Sequence, residues 1–144
     1  MRSLPYLADH RVRSVAVVPA ATYIELALAA ARRSKNASSL SELTFDDIWL
    51  LDGSRRTLQV VAAPHGEGLR IEIFSRPNET TKGSTGAPWV KHATALVNAD
   101  PFAVPAKQNI EAVRARCPDR PTANDLYEIL AQRGLEYGAA FRRV

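Results

Sequence analysis

The sequence predicts an α+β domain in which an antiparallel sheet wraps one long helix. Strong helix formers fill residues 20–33, and strand-like runs separated by turn signals fill residues 43–98. The 144 residues are 46% apolar and 24% charged, close to the average for globular proteins. A chain of this length forms one domain and can fold without a disulfide or a structural metal.

The helix prediction rests on the segment AATYIELALAAARR, residues 20–33. Pro19 precedes it, where a missing N–H is harmless, and Arg32 and Arg33 close it, where cations are favoured. Apolar residues run round most of its circumference. We therefore expect this helix to be buried and not laid on a surface.

Four strands are predicted after this helix, in residues 43–51, 57–63, 69–73 and 89–98. Asp52-Gly53 and residues 64–68 have the composition of tight turns between strands. The strict alternation of residues 69–73 puts Leu69, Ile71 and Ile73 on one face. Residues 77–88 are expected to form a polar loop, and the four strands an antiparallel meander.

The last third of the chain predicts two shorter helices. Four prolines interrupt residues 101–121, so we expect a surface excursion with one short helix near residues 110–116. Thr122, with Asp125 three residues later, is a candidate N-cap for a final helix, and Gly134 is its candidate C-cap.

Composition and spacing exclude several classes of function. Cys117 is the only cysteine, which rules out an internal disulfide and a cysteine-based zinc cluster. His10, His65 and His92 lack metal-ligand spacing, and no glycine-rich phosphate loop is present, so we expect neither a metal nor a nucleotide. The net charge of +4 arises from scattered basic residues without aromatic interleaving, which does not favour nucleic-acid binding.

No membrane segment is expected. The longest apolar stretch, residues 19–31, contains Glu25 and falls short of the ~20 residues needed to span a bilayer. Charged residues within residues 9–13 interrupt the apolar core that a signal peptide would need. Together with the single cysteine, these features predict a cytoplasmic protein.

His10 is the candidate for acid–base chemistry. It lies one strand's length ahead of the predicted helix, which brings a titratable group near free backbone N–H donors that can polarise a carbonyl. Histidine is the side chain whose ordinary pKa best suits a base at neutral pH. The residues alone leave open a structural or surface role for His10.

Four ordered stretches resemble the N-terminal hotdog of the dehydratase domain of modular type I polyketide synthases. They are YLADHRVR at residues 6–13, PAATYIELALAAA at residues 19–31, WVKHA at residues 89–93 and GLEYGAAF at residues 134–141. The last two are similar to the family's Trp-x-x-His-Ala strand and its Gly-Leu-x-Tyr-Gly-Pro-x-Phe segment. The resemblance covers essentially the whole chain and implies an α+β hotdog fold, a long central helix wrapped by an antiparallel β-sheet.

The resemblance also implies site residues. The family motif His-x-x-x-Gly-x-x-x-x-Pro places the catalytic base on His10, the motif proline on Pro19 and the motif glycine on the position of Ser14. With Tyr137 and Gly138, Ser14 and Pro19 form the implied substrate-binding set. For Tyr137, simple packing of the ring is an equally open alternative.

Two positions depart from the family pattern. Ser14 replaces a glycine, and a side chain there is expected to crowd the pocket or to forbid a positive φ angle. Ala139 stands where the family usually has proline. Both departures would slow an enzyme without removing its base.

The family carries two hotdogs in tandem, with a catalytic aspartate on the second. We therefore expect residues 1–144 to be a single hotdog, the N-terminal half of an incomplete, divided or decayed dehydratase domain. In the implied reaction His10 removes a proton from a 3-hydroxyacyl thioester, and loss of water gives a 2-enoyl thioester. The implied partners are an acyl carrier protein, whose phosphopantetheine arm holds the substrate, and a second hotdog or homodimer partner. No cofactor is implied.

Two other functions stay open. One is a catalytically inactive hotdog acting as a scaffold or acyl-binding module. Ser14 and the missing acid are the two features that would indicate it. The other is a thioesterase-type hotdog that uses Glu25, although a buried carboxylate paired with backbone or arginine is the simpler interpretation. Asp9 is expected to project away from His10 along an extended segment, and His92 to be a hydrogen-bonded core histidine.

Overall fold

The computed structural model describes residues 4–34, 39–78, 86–98, 104–117, 119 and 121–142. The elements, in chain order, are a 3-10 helix (Pro5–Asp9), strands β1 (His10–Val12) and β2 (Val15–Ala16), helix α1 (Ala20–Arg33), strands β3 (Ser39–Phe45), β4 (Arg56–His65), β5 (Gly68–Pro77) and β6 (Val90–Asn98), helices α2 (Ile110–Arg116) and α3 (Ala123–Gln132), and strand β7 (Leu135–Tyr137). Residues 79–85 of the predicted polar loop, and Pro101 and Pro118 of the predicted excursion, lie outside the described residues.

The larger sheet is antiparallel, with the strand order β3-β6-β5-β4. Strands β4 and β5 form the predicted hairpin, whose turn includes Gly66 at a φ of 57°. The predicted four-strand meander is wrong in one respect, because β3 pairs with β6 and not with β4. The chain leaves the sheet after β3 and returns at the opposite edge.

The segment that leaves the sheet, residues 46–51, corrects the strand predicted at residues 43–51. Strand β3 ends at Phe45, and the 46–51 segment continues toward the N-terminal part of the chain. There Leu51 N–H donates to the Ala16 carbonyl at 2.8 Å, and Val18 N–H donates to the Trp49 carbonyl at 3.0 Å. The segment therefore bonds to residues 16–18, beside a second, smaller sheet, and leaves its apolar residues Ile48 and Leu50 exposed.

Helix α1 packs its small residues against the larger sheet. Ala27 and Ala31 are buried, which brings the helix close to the isoleucines and valine of β5 and β6. The buried residues of this core are Tyr23, Ala27, Ala31, Ile71, Ile73, Ala93, Ala95 and Val97. The prediction of a fully buried helix is wrong on its outer face, where Ile24 is 39% exposed, because the sheet covers only one side.

The smaller sheet, with the order β2-β1-β7, was not predicted. Its strands have two or three residues, too few for a period-2 pattern to be recognised. Helix α3 ahead of it begins with the predicted cap, since Thr122 and Asp125 form a reciprocal capping box. Among the described helices, none is long and apolar enough to cross a membrane.

Candidate active site

His10 is the first residue of β1, and backbone groups of Val17 hold it at two points. Its Nδ1 lies 3.2 Å from the Val17 carbonyl oxygen, and Val17 N–H donates to the His10 carbonyl at 3.0 Å. A carbonyl can only accept, so Nδ1 carries the hydrogen. In the neutral ring this leaves the lone pair on Nε2, which makes that atom the available base.

Two aromatic rings fix the half-buried His10 imidazole. Tyr137 is its cross-strand partner on β7, with ring centroids 5.4 Å apart, and the Phe141 ring lies at 5.2 Å. Tyr137 and Phe141 stack on each other at 6.1 Å. The structure thus brings Tyr137 to His10, as the sequence suggested, and adds Phe141.

A tight turn over residues 138–141 carries Phe141 to the imidazole, and Asp9 holds this turn. Gly138 N–H donates to the Asp9 carbonyl at 2.8 Å, and Ala140 N–H donates to the Asp9 carboxylate at 2.9 Å. A side chain at Gly138 would collide with the Asp9 side chain, so only glycine fits there. The Asp9 carboxylate therefore organises the site through the turn and is not a free acid beside His10.

Ser14 lies at the tip of the β1–β2 hairpin, where Arg13 and Ser14 have φ angles of 47° and 65°. The expectation that a side chain forbids a positive φ at this position is wrong. Ser14 N–H and its hydroxyl both donate to a carboxylate oxygen of Glu136 at 3.0 Å, which anchors the turn to β7. The hydroxyl is engaged with Glu136 and not with His10.

We expect Ser14→Gly to be more stable than Ser14→Ala. Both variants lose the hydroxyl bond to Glu136, but only glycine relieves the left-handed backbone, a difference of about 1 kcal/mol. Urea denaturation of both variants measures it. At Thr44, an exposed and regularly paired residue of β3, the order of the glycine and alanine variants should reverse, because glycine weakens a strand by about 0.5–1 kcal/mol relative to alanine. The same order at both positions would contradict a strained turn.

Pro19 is the buried N-cap of α1, and a groove of about 310 Å³ runs beside it. The groove is lined mainly by Tyr6, Leu7, Pro19, Thr22, Leu26 and Phe141. Phe141 contacts His10 as well, so the imidazole and the groove share one wall. In the first turn of α1, Thr22 N–H donates to the Pro19 carbonyl at 2.9 Å, and the N–H groups of Ala20 and Ala21, which precede it at the Pro19 end, have no acceptor within the helix.

Glu25 also borders this groove, but it is not the buried carboxylate that the sequence suggested. Its side chain is 69% exposed and forms an ion pair with Arg32 at 2.8 Å. Of the two partners that the sequence left open, backbone and arginine, the structure shows arginine, and the predicted burial is wrong because Glu25 lies on the outer face of α1. In the described part of the chain, no group of three or more His, Cys, Asp and Glu residues is placed to hold a metal.

His92 is a hydrogen-bonded core histidine, as predicted. It is 2% exposed, its Nε2 lies 2.7 Å from the Ser75 hydroxyl, and its Nδ1 lies 3.2 Å from the Asp47 carbonyl. The Trp49 indole stacks on it at 5.1 Å. Burial lowers the pKa of His92, although the Asp47 carbonyl acts in the opposite direction.

The lowered pKa of His92 predicts a loss of stability in acid. Neutral His92 contributes its full stability above the ordinary histidine pKa of about 6.5, and the contribution falls as pH drops toward the lower pKa of the folded state. Asp47, Arg56, Ser75 and Tyr23 face the ring. In urea denaturation, the stability gap between the natural chain and His92→Gln should narrow from pH 7.5 to 5.5. A constant gap would contradict the shift.

Sequence reasoning missed three residues of the site. Val17 acts through its backbone carbonyl, which no side-chain pattern reveals. Asp9 was set aside as an adjacent acid, and its role depends on a contact with residues 138–140. Phe141 is the last residue of the stretch at residues 134–141 that resembles the family, and this resemblance was the one sequence signal that could have indicated its place in the site.

Comparisons with known proteins place this chain in a family. A sequence profile described as "Polyketide synthase dehydratase domain" matches residues 1–76. The chain is 34% identical over 96% of its length to polyketide synthase GfsA of Streptomyces halstedii. It is 33% identical over 95% of its length to a mycocerosic acid synthase-like polyketide synthase of Mycolicibacterium smegmatis. It spans 2% and 6% of those two proteins.

Solved structures give the same result. The dehydratase domain of a mycocerosic acid synthase-like polyketide synthase superposes with a TM-score of 0.76 at 33% identity, over 96% of this chain and 47% of that one. The dehydratase domain from the CurF module of curacin polyketide synthase gives 0.78 at 23% identity, over 96% and 50%, and shows the fold.

A long helix wrapped by an antiparallel sheet defines the hotdog fold, which this chain shares with the solved dehydratase domains. The chain belongs to the polyketide synthase dehydratase domain family, of which it is the N-terminal hotdog portion. It spans about half the length of the solved dehydratase domains that it matches.

Proposed function

We propose that this chain is the base-carrying half of a dehydratase that converts a 3-hydroxyacyl thioester into a 2-enoyl thioester. The observation that carries the proposal is the state of His10, whose Nδ1–H is committed to the Val17 carbonyl. In the neutral imidazole, Nε2 then carries the lone pair at a fixed position, as general base catalysis requires. Ser14, Pro19, Tyr137 and Gly138 are proposed to shape the substrate site around it.

The proposed reaction removes one water from the 3-hydroxyacyl thioester. Nε2 of His10 takes a proton from the carbon next to the thioester carbonyl, and the electrons of that C–H bond form the new double bond. The bond between the neighbouring carbon and its hydroxyl oxygen breaks, and an acid donates a proton so that water leaves. N–H groups in the first turn of α1 stabilise the negative charge on the thioester oxygen.

The acid is proposed to come from a second hotdog, on the same polypeptide or another. The Asp9 carboxylate accepts from Ala140, and Glu25 is paired with Arg32, so both are engaged elsewhere. A homodimer of this chain is the alternative assembly. The reaction consists only of proton transfers and C–O cleavage, so the proposal includes no cofactor of the protein's own.

The substrate carrier is proposed to be an acyl carrier protein, which presents the thioester on its phosphopantetheine arm in the cytoplasm. Carrier proteins are acidic, and the net charge of +4 on this chain favours such a partner. An inactive scaffold is not favoured, because the departures at Ser14 and Ala139 leave intact both turns that organise the site.

Product analysis tests the proposal. The 144-residue chain, mixed with a second dehydratase hotdog, is given a 3-hydroxyacyl thioester on a carrier protein or on pantetheine, and the products are separated by mass spectrometry. A dehydratase gives an acyl group lighter by one water. A thioesterase would release the free hydroxy acid, and an inactive module would leave the substrate unchanged, so either result would overturn the proposal.

A further inference from the structure

A chain of hydrogen bonds centred on the buried residues Ser75 and His92 runs from the larger sheet to the 46–51 segment, and all its bonds have the same donor-to-acceptor direction. Arg56 Nε donates to the Ser75 hydroxyl at 2.9 Å, and the Ser75 hydroxyl lies 2.7 Å from His92 Nε2. His92 Nδ1 lies 3.2 Å from the Asp47 carbonyl, which can only accept, so Nδ1 carries the hydrogen. Nε2 must then accept from Ser75, and neutral His92 satisfies every bond.

This chain fixes the 46–51 segment at one position. Ser75 is 0% and His92 2% exposed, and a buried polar group that loses its partner is costly. The His92 backbone carbonyl also accepts from Asp46 N–H at 2.9 Å, while Trp49 stacks on the ring. Both the side chain and the main chain of His92 therefore hold the segment.

The segment in turn fixes the backbone that holds His10. Val18 N–H donates to the Trp49 carbonyl at 3.0 Å, and Leu51 N–H donates to the Ala16 carbonyl at 2.8 Å. Val17 lies between these two attachments, pairs with Leu50, and presents its carbonyl to His10 Nδ1. The backbone of residues 47–49 and 17–18 thus connects the imidazole of His92 to the imidazole of His10 through hydrogen bonds.

We propose that His92 is a positioning residue for His10. The neutral His92 ring holds the 46–51 segment where the Val17 carbonyl meets Nδ1 of His10, which selects the tautomer with the lone pair on Nε2. The inference rests on the proposed function only for the role of His10 as the base. The placement of His10 is a property of the chain without substrate and can be measured there.

Two substitutions separate the bonds of His92. Asparagine has its amide nitrogen as many covalent bonds from Cβ as Nδ1 of histidine, so His92→Asn can still donate to Asp47. Glutamine has its amide group at the distance of Nε2, so the amide oxygen of His92→Gln can accept from the Ser75 hydroxyl, while no donor is left at the distance of Nδ1 to reach the Asp47 carbonyl. Val97→Ala is the matched control, because Val97 is buried on the same strand and outside the chain of bonds.

Two measurements at pH 8 test whether His92 positions His10. The imidazole ¹⁵N chemical shifts of His10 report its tautomer, and amide hydrogen exchange of Val18 and Leu51 reports how firmly the 46–51 segment is held. In His92→Gln we expect a mixed His10 tautomer and exchange at least about fivefold faster than in Val97→Ala. His92→Asn should keep the Nδ1–H tautomer. If His92→Gln leaves the tautomer and both exchange rates at the control values, the proposal is wrong.

Ser75→Ala keeps the proposal falsifiable if the His92 variants do not fold. This variant removes the donor to Nε2 without enlarging a side chain, and it should accelerate exchange at Val18 and Leu51 relative to Val97→Ala. Equal exchange in the two variants would overturn the proposal. None of these readouts needs turnover, so an inactive but well-positioned His10 would refute the proposed function and leave this inference intact.

Discussion

Replacing His10 with alanine should lower the rate of 2-enoyl formation about 10²–10⁴-fold in a complex with a second dehydratase hotdog. The reason is that His10 supplies the only base in the proposed reaction, and in its neutral ring the lone pair lies on Nε2 because Nδ1–H donates to the Val17 carbonyl. The absorbance of the conjugated thioester follows the rate. Substrate binding should change far less than turnover, because the imidazole acts mainly in the transition state.

His65→Ala is the matched control for this prediction. His65 is an exposed residue at the end of β4, so its loss should leave the rate unchanged. If the complex with His10→Ala keeps the natural rate, His10 is not the base of the reaction. A similar loss in both variants would point to a general effect on folding.

Asp9→Ala should have the second largest effect. It removes the acceptor of the Ala140 N–H, a charge-assisted bond whose loss costs about 1.5–3 kcal/mol. The turn over residues 138–141 then loses this hydrogen bond, and Phe141, which forms one wall of the His10 site, is no longer held in place. We expect turnover in the complex to fall about tenfold or more, since 1.4 kcal/mol corresponds to a factor of ten.

Asp9→Asn distinguishes this positioning role from acid catalysis. The asparagine oxygen can still accept from Ala140, so most of the rate should return. The NMR contacts between the Phe141 and His10 rings should disappear in Asp9→Ala and persist in Asp9→Asn. An Asp9→Asn variant as inactive as Asp9→Ala would mean that the carboxylate itself takes part in proton transfer.

Elements set by local interactions were predictable from the sequence. Helix α1 spans the predicted residues 20–33 because its composition, its preceding proline and its closing arginines act within a few residues of one another. Helix α2 covers the predicted residues 110–116, and α3 has its predicted cap. The β4–β5 hairpin follows from its turn sequence in the same way.

Elements set by distant contacts were not predictable. Strand β7 exists because residues 135–137 pair with β1 more than 120 positions earlier, and no local pattern encodes that pairing. Residues 43–51 suggested a single strand, yet the backbone bonds to the His92 carbonyl of the larger sheet only as far as Asp47, and Trp49 and Leu51 bond to Val18 and Ala16 instead. The same limit applies to the site, where His10 was found and the Val17 carbonyl was not.

The most direct test of the central claim compares turnover of a 3-hydroxyacyl thioester by this chain alone, by a second dehydratase hotdog alone, and by the two together. We expect no 2-enoyl product above buffer from either half, and product from the mixture that depends on His10. Product from this chain alone would contradict the account and assign the acid to one of its own carboxylates, such as Glu25. A folded complex that gives no product with His10 intact would contradict it as well.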